Sequence, residues 1–368
     1  MKRNNPFIVY GYKDPETFCD RELELEKLQN AIENGRNVTL LAERRIGKTG
    51  LIKHLFNSLS KSAYPCIYID IFATSNLAEF TARFAEAIIG SLDSQIVKAV
   101  EAASRFFKNV RPGITFDTVT GAPTVSFGLQ PHTAETTLKE CFEYLAQHGK
   151  CIVAIDEFQQ IGSYPEKSVE ALLRSYVQFL PNVRFIFAGS RHHMMAEMFS
   201  SAKRPFFNST QTLPLDRIDH DKYYTFAKRF MDEAGVEFAE SAFSMLYSKV
   251  DGITWYVQTI LNRLYERGSA TEEDILSVID ELIQEKNWEF AAMLGALPDG
   301  AQRLVKAVAK EGKVKEITSG AFIAAHGLKG SSSVHLSLNK LVEDEVLYRC
   351  DDGYVVYDRL FGFWLSRI

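Results

Sequence analysis

Apolar positions along this chain recur in two rhythms, one helical and one of short continuous runs. Residues 21–34, RELELEKLQNAIEN, set Leu25, Leu28 and Ile32 at helical spacing, and Gly35 follows as a stop. NVTLLA (37–42) predicts a buried strand, GKTGLIKHLFNSL (47–59) the helix after it, and PCIYIDI (65–71) a second strand, rich in β-branched and aromatic residues. Residues 77–109 read as helical, with Leu77, Phe80, Phe84 and Ile88 spaced by three and four. The segment 111–131, RPGITFDTVTGAPTVSFGLQP, alternates instead, and Gly121 and Pro123 mark a turn; it predicts an inserted β-hairpin. A helix follows over 133–149 with Thr133 as its N-cap. CIVAIDEF (151–158) and VRFIFAGS (183–190) predict two further buried strands, and QTLPL (211–215) a short fifth.

Strands alternating with helices imply an α/β core with a parallel sheet covered on both faces. From about 219 to 297 the strand signal disappears and three or four helices are expected. From 299 the pattern predicts helices near 300–311, 316–326 and 332–343, then a hairpin, VLYRC-DDG-YVVYD, with an Asp-Gly turn. That is a winged helix-turn-helix. The expected organisation is a core over 1–218, a helical lid over 219–298 and a winged helix over 299–368.

Bulk properties narrow the class. A length of 368 residues suits two or three domains, and 46% hydrophobic with 24% charged residues is ordinary for a soluble globular protein. A net charge of -5 excludes a whole-chain basic field for nucleic acid. The five cysteines at 19, 66, 141, 151 and 350 form no C-x-x-C, which argues against zinc or disulfides and for a reducing cytoplasm. MKRNNPF leads into no apolar signal-peptide segment, and no apolar run approaches the roughly 20 residues that span a bilayer.

The chemistry concentrates at three strand ends. AERRIGKTG (42–50) lies between a buried strand and a helix, where backbone N–H groups and the helix N-terminus can face an anion. Lys48 would reach the β- and γ-phosphates, the Thr49 hydroxyl would ligate Mg²⁺, and Gly47 would let the backbone approach. Ile46 and Gly50 complete the cradle. Ala42 replaces the usual first glycine; a left-handed backbone there would cost about 1–2 kcal/mol. Gly50 early in a helix costs roughly 1 kcal/mol relative to Ala. Arg44 and Arg45 face either the phosphates or solvent, and one of them is expected to form a structural ion pair. At the second strand end, Asp156 would hold the metal shell and Glu157 would orient and deprotonate the attacking water. At the third, Ser190 would touch the γ-phosphate or the water, and Arg191 would be a second phosphate sensor. His192 and His193 are adjacent and share no helical face, so they do not suggest a metal site. The blander reading of the loop alone is a polar turn with an accidental Gly-Lys-Thr, and of Asp156-Glu157 alone a solvated acidic pair. Their order, each on its own buried strand, favours the joint site.

NPFIVYGYKDPETFCDRELEL, LLAERRIGKTGLI, CIVAIDEFQ, FIFAGSRHHMM and the winged helix together resemble the archaeal-type ATPases, in the STAND-like branch of the AAA+ P-loop superfamily. The resemblance covers essentially the whole chain. It implies ATP or ADP as ligand with Mg²⁺, Phe18, Arg21 and Glu22 near the adenine as in the F-x-G-R-E signature, and Asp20 where that signature has Gly. It also implies a lid motif at Gly252 and Tyr256, with Trp255 near the usual proline. Arg204 is the candidate arginine finger, set against a plain surface role. Slow, nucleotide-switching hydrolysis is expected. The partner is an unknown protein or a second copy. DNA binding by the winged helix is the alternative. Residues 300–368 carry ten Lys/Arg against eight Asp/Glu, a net of +2 that is thin for neutralising several phosphates.

Overall fold

The computed structural model of the chain describes residues 4–59, 64–92, 110–116, 123–350 and 352–368. Contacts divide it into two units: Pro6–Phe226 with Gly252–Gln258, and Met1–Asn5 with Ala227–Asp251 and Thr259–Ile368.

In the first unit five strands, β1 (Val38–Leu41), β2 (Cys66–Asp70), β5 (Cys151–Asp156), β6 (Val183–Gly189) and β7 (Gln211–Pro214), form one sheet. Its order is β2-β5-β6-β1-β7 and every pairing is parallel. β1 and β5 are buried at every position, which is why they read as unbroken apolar runs. β6 lies between β1 and β5, so the ends of all three open on the same crevice, the usual ligand position in an open α/β sheet. On one face α1 (Glu22–Glu33) packs on α2 (Lys48–Leu59). On the other face α3 (Leu77–Leu92) packs on the helix Ala134–His148. A knot of rings, Phe158, Phe187, Phe199 and Phe206, lies under the crevice with centroids 4.6–5.7 Å apart.

The inserted hairpin is present as β3 (Val110–Phe116) paired antiparallel with β4 (Pro123–Leu129). Its turn, and residues 93–109 of the helix expected over 77–109, lie outside the described residues. Thr133 departs from expectation. It ends a 3-10 turn, Pro131–Thr133, and donates its hydroxyl to Gln130 O at 2.8 Å instead of capping the next helix.

Beyond β7 the chain is helical through five helices, His220–Glu233, Glu240–Lys249, Thr254–Arg267, Glu272–Glu285 and Asn287–Gly295, where three or four were expected. In the second unit Asp299–Glu311 packs on Ser331–Glu343 and on a terminal helix, Arg359–Ser366, that the periodicity did not reveal. The wing is β8 (Leu347–Cys350) paired with β9 (Gly353–Val356), and Val314 adds a bridge to Tyr354. Gly353 is required there: a Cβ would lie 2.6 Å from Val314 O. Among the described residues no helix is long and apolar enough to cross a membrane.

Candidate functional site

The loop between β1 and α2 runs from Ala42 to Gly47. Ala42 does not take the left-handed backbone that would have penalised it; Arg45 does, at φ 66, and Gly47 at φ 100. Arg45 is compensated. Its guanidinium lies 4.6 Å from the Trp255 ring centroid and 5.3 Å from that of Tyr256, and it donates to Tyr256 Oη at 2.6 Å. The Trp255 N–H donates to Arg45 O at 3.0 Å, and Thr254 Oγ1 to Ile46 O at 3.1 Å. From the opposite side buried Arg21 donates to Ile46 O at 3.3 Å and to Asp216 O at 2.7 Å. The loop is therefore held by residues about two hundred positions away as well as by its own turn.

Inside this frame Lys48 is buried, with Nζ donating to Glu43 O at 2.7 Å and Ala42 O at 3.4 Å. Burial pulls its ammonium down to about 8, although the carboxylates of Glu157, Asp156 and Glu43 oppose the shift. Thr49 Oγ1 donates to Asp156 Oδ2 at 2.6 Å, and Tyr68 Oη donates to the same oxygen at 2.9 Å. Burial, with Asp156 alongside, pushes the Tyr68 hydroxyl up. Asp70, in register with Asp156 on the neighbouring strand, is raised by burial first and by the Asp156 and Glu157 charges. Glu157 turns out of β5 at φ 58; its Oε2 accepts from Gln159 Nε2 at 2.5 Å and from Ser190 Oγ at 2.7 Å. Ser190 in turn accepts from Arg44 Nε at 3.2 Å.

Phe18, Arg21, Arg45, Ile46 and Gly47 line one cavity of about 540 Å³. Lys48, Thr49, Gly50, Glu157 and Ser190 line it too, and Asp156 lies buried behind Thr49. Phe18, part of the lining, stacks on His54 at 4.4 Å and 18°, with Tyr12 edge-on at 5.7 Å. Gly50 leaves room beside that ring: a Cβ there would sit 3.2 Å from Phe18 Cε2, a few tenths of an ångström inside ordinary contact. The oxygens of Thr49 and Asp156 suit a hard divalent cation, and among the described residues no group of three His, Cys, Asp or Glu could hold a metal by itself. Mg²⁺ fits such a pair, because it takes few protein ligands and completes its shell with phosphate and water oxygens.

Residues 18–260 match the model of an ATPase domain found predominantly in Archaea, and residues 288–367 that of a winged helix domain. The chain belongs to this archaeal-type ATPase family. The ATPase shares its fold with a Walker-type ATPase of Pyrococcus abyssi, at 19% identity and a TM-score of 0.69 over 99% of this chain and 100% of that one. It also shares it with the ORC2 protein of Aeropyrum pernix in ADPNP-ADP complexes, at 16% identity and a TM-score of 0.62 over 100% and 96%. The ORC1 protein of Aeropyrum pernix in complex with DNA follows at 14% and 0.53 over 96% and 93%. No curated protein matches the sequence.

Several residues of the ATPase stand apart from the cavity. Arg191 is exposed and donates to Met194 Sδ at 3.7 Å. Arg204 is held by Glu170 and, at 3.6 Å, by Glu197. His192 and His193 sit with ring centroids 6.0 Å apart. Within the loop Glu43 makes a bidentate ion pair with Arg217, at 3.0 and 3.3 Å. Asp20 explains its own departure from the family signature: it sits at φ 56, the conformation glycine takes freely and Asp tolerates, and Lys222 Nζ holds its carboxylate at 2.7 Å. Asp251, before Gly252, repeats the device at φ 54 with Arg359 at 2.9 Å. Tyr68, Gln159 and Arg217 were missed by the sequence reading; Gln159 alone left a trace, as the last letter of IDEFQ.

Proposed function

We propose that this ATPase, of the STAND-like branch, binds Mg·ATP in the cavity and hydrolyses it slowly as a conformational switch. The observation that carries the reading is that a buried lysine, a Thr–Asp oxygen pair and a tethered glutamate converge from three adjacent strand ends. Lys48 and the loop N–H groups would bind the phosphates, and Phe18 would stack on the base. Thr49 and Asp156 would hold the Mg²⁺, which supplies charge neutralisation on the phosphates when bound. Glu157, with Oε2 fixed by Ser190 and Gln159, would use Oε1 to orient water and take its proton. Ser190 keeps that carboxylate aimed, and Arg44 braces Ser190. The ties on Arg204 favour an arginine supplied by another molecule, and hence turnover that depends on assembly. The helix Thr254–Arg267 begins among the core unit's residues 252–258 and continues in the second unit, which gives the loop a covalent route for a switch.

Calorimetric titration with Mg·ATP, Mg·ADP and Mg·GTP, with phosphate release followed in the same samples, tests this. Adenine-selective binding with slow release is expected. Lys48→Ala should abolish binding, and retained affinity would overturn the phosphate role of Lys48. Glu157→Gln should bind and not turn over; turnover at the parental rate would remove Glu157 as base.

The alternative is a nucleotide-gated DNA-binding regulator, prompted by the fold likeness to an ORC1 protein in complex with DNA. The helix Ser331–Glu343 speaks against it. Lys340 is tied to Asp344 at 2.9 Å, His335 and Asn339 bond each other at 3.2 Å, and Leu336 is 73% exposed between them. Such a face suits a protein surface better than phosphates. Salt-sensitive binding of duplex DNA by the full chain would restore the DNA reading.

A further inference from the structure

We infer that Gln159 and Gly189 act as one unit that positions the Glu157 carboxylate; this rests on the reading of Glu157 as the base. Gln159 is 4% exposed and its Nε2 donates to Glu157 Oε2 at 2.5 Å. Its own Oε1 is buried without a hydrogen-bond partner. Reversing the amide would aim that oxygen at the carboxylate, so the orientation is fixed by charge. An unpaired buried oxygen is a cost that leucine, of similar size, would avoid. Packing therefore does not explain an amide here, and the donor to Glu157 does.

Gly189 supplies the space. It does not adopt a positive φ, so its backbone does not demand glycine. Its surroundings do: a Cβ would lie 2.1 Å from Gln159 Oε1 and 2.7 Å from Met195 Cγ and Sδ. Met195 is fully buried and takes up the same space beside Gly189. A side chain at 189 would push Gln159 off Glu157, which leaves β5 through a left-handed turn and otherwise keeps Ser190 on that oxygen. Gly189 closes β6, which pairs directly with β5, and Glu157 follows the end of β5, so a residue without a side chain at one strand end sets the aim of the carboxylate at the next.

The test uses the full chain in single-turnover phosphate release, with nucleotide Kd, KM and thermal midpoint measured in parallel. Gln159→Leu and Gly189→Ala should each lower kcat about 10- to 100-fold, as loss of a hydrogen bond to a catalytic carboxylate does. Kd and KM should not move. The double variant should be no slower than either single one, because both remove the same contact. Additive losses, or losses that track Kd and thermal midpoint, would reduce the pair to a structural role and overturn the inference. Turnover of Gln159→Leu and Gly189→Ala at the parental rate, while Glu157→Gln is inactive, overturns it and leaves the base assignment standing. Parental turnover by Glu157→Gln overturns both.

Discussion

Lys48→Met should change how the stability of the core unit responds to pH, in the absence of nucleotide and metal. Lys48 is 6% exposed, and burial lowers its pKa from 10.5 to about 8. The unfolded chain keeps the ordinary value. Below pH 8 both states carry the ammonium, and the folded protein bears the full cost of burying it. Between pH 8 and 10.5 the unfolded chain holds more protons than the folded one, so stability rises with pH across that window. Above 10.5 the cost is gone. A shift from 10.5 to about 8 corresponds to about 3 kcal/mol, at roughly 1.4 kcal/mol for each pH unit. Methionine carries no such charge. Urea unfolding read from Trp255, the tryptophan of the core unit, gives the free energy of each protein at several pH values. The parent-minus-variant difference should become more favourable to the parent by about 3 kcal/mol from pH 8 to 10.5. The carbonyls that Met leaves unpaired shift the whole curve and not its slope. Parallel profiles for parent and variant would refute the reasoning, since they would mean that the Lys48 ammonium is hydrated and not buried. In the role proposed for Lys48, a triphosphate would add to the charge of Glu157, Asp156 and Glu43 and offset the cost of burying the ammonium.

Three further outcomes follow from the geometry. Gly50→Ala should gain up to about 1 kcal/mol of helix stability, yet weaken ATP binding in calorimetry as the new Cβ displaces Phe18 from His54. Undiminished affinity would separate Phe18 from the base. Arg45→Ala should cost the core about 1–2 kcal/mol in chemical denaturation through loss of the ring contacts and the Tyr256 bond, with a shift in Trp255 emission; an unaltered spectrum would show that Arg45 does not rest on that ring. Glu43→Gln should weaken nucleotide binding modestly and far less than Lys48→Ala, because the Glu43 carboxylate braces Arg217 while its backbone carbonyl, which Lys48 uses, is kept.

How much of this was legible follows from what kind of interaction each residue makes. β1, β5 and β6 were visible because burial on both faces writes an apolar run into the chain, and Lys48, Thr49, Asp156 and Glu157 because each sits at the end of such a run. The local sequence could also place Ser190 beside them once the strands were found. It could not show that Arg45 rests on Trp255 and Tyr256, because their separation in the chain is closed only by the fold. It misjudged Ala42, and saw only part of Gly50, for the same reason. Ala42 was charged with a left-handed backbone that belongs to Arg45, and the helix cost of Gly50, which stands, was given without the space that Phe18 takes there. Asp20 looks like the loss of a family glycine in a string of letters, and Asp251 like any acidic residue before a glycine. In three dimensions each is a left-handed residue that a cation from elsewhere in the chain holds in place. Departures from a motif in this chain are therefore better read as relocated support than as decay: the groups proposed to touch phosphate are retained, and at Asp20 a distant cation holds the residue that replaced glycine.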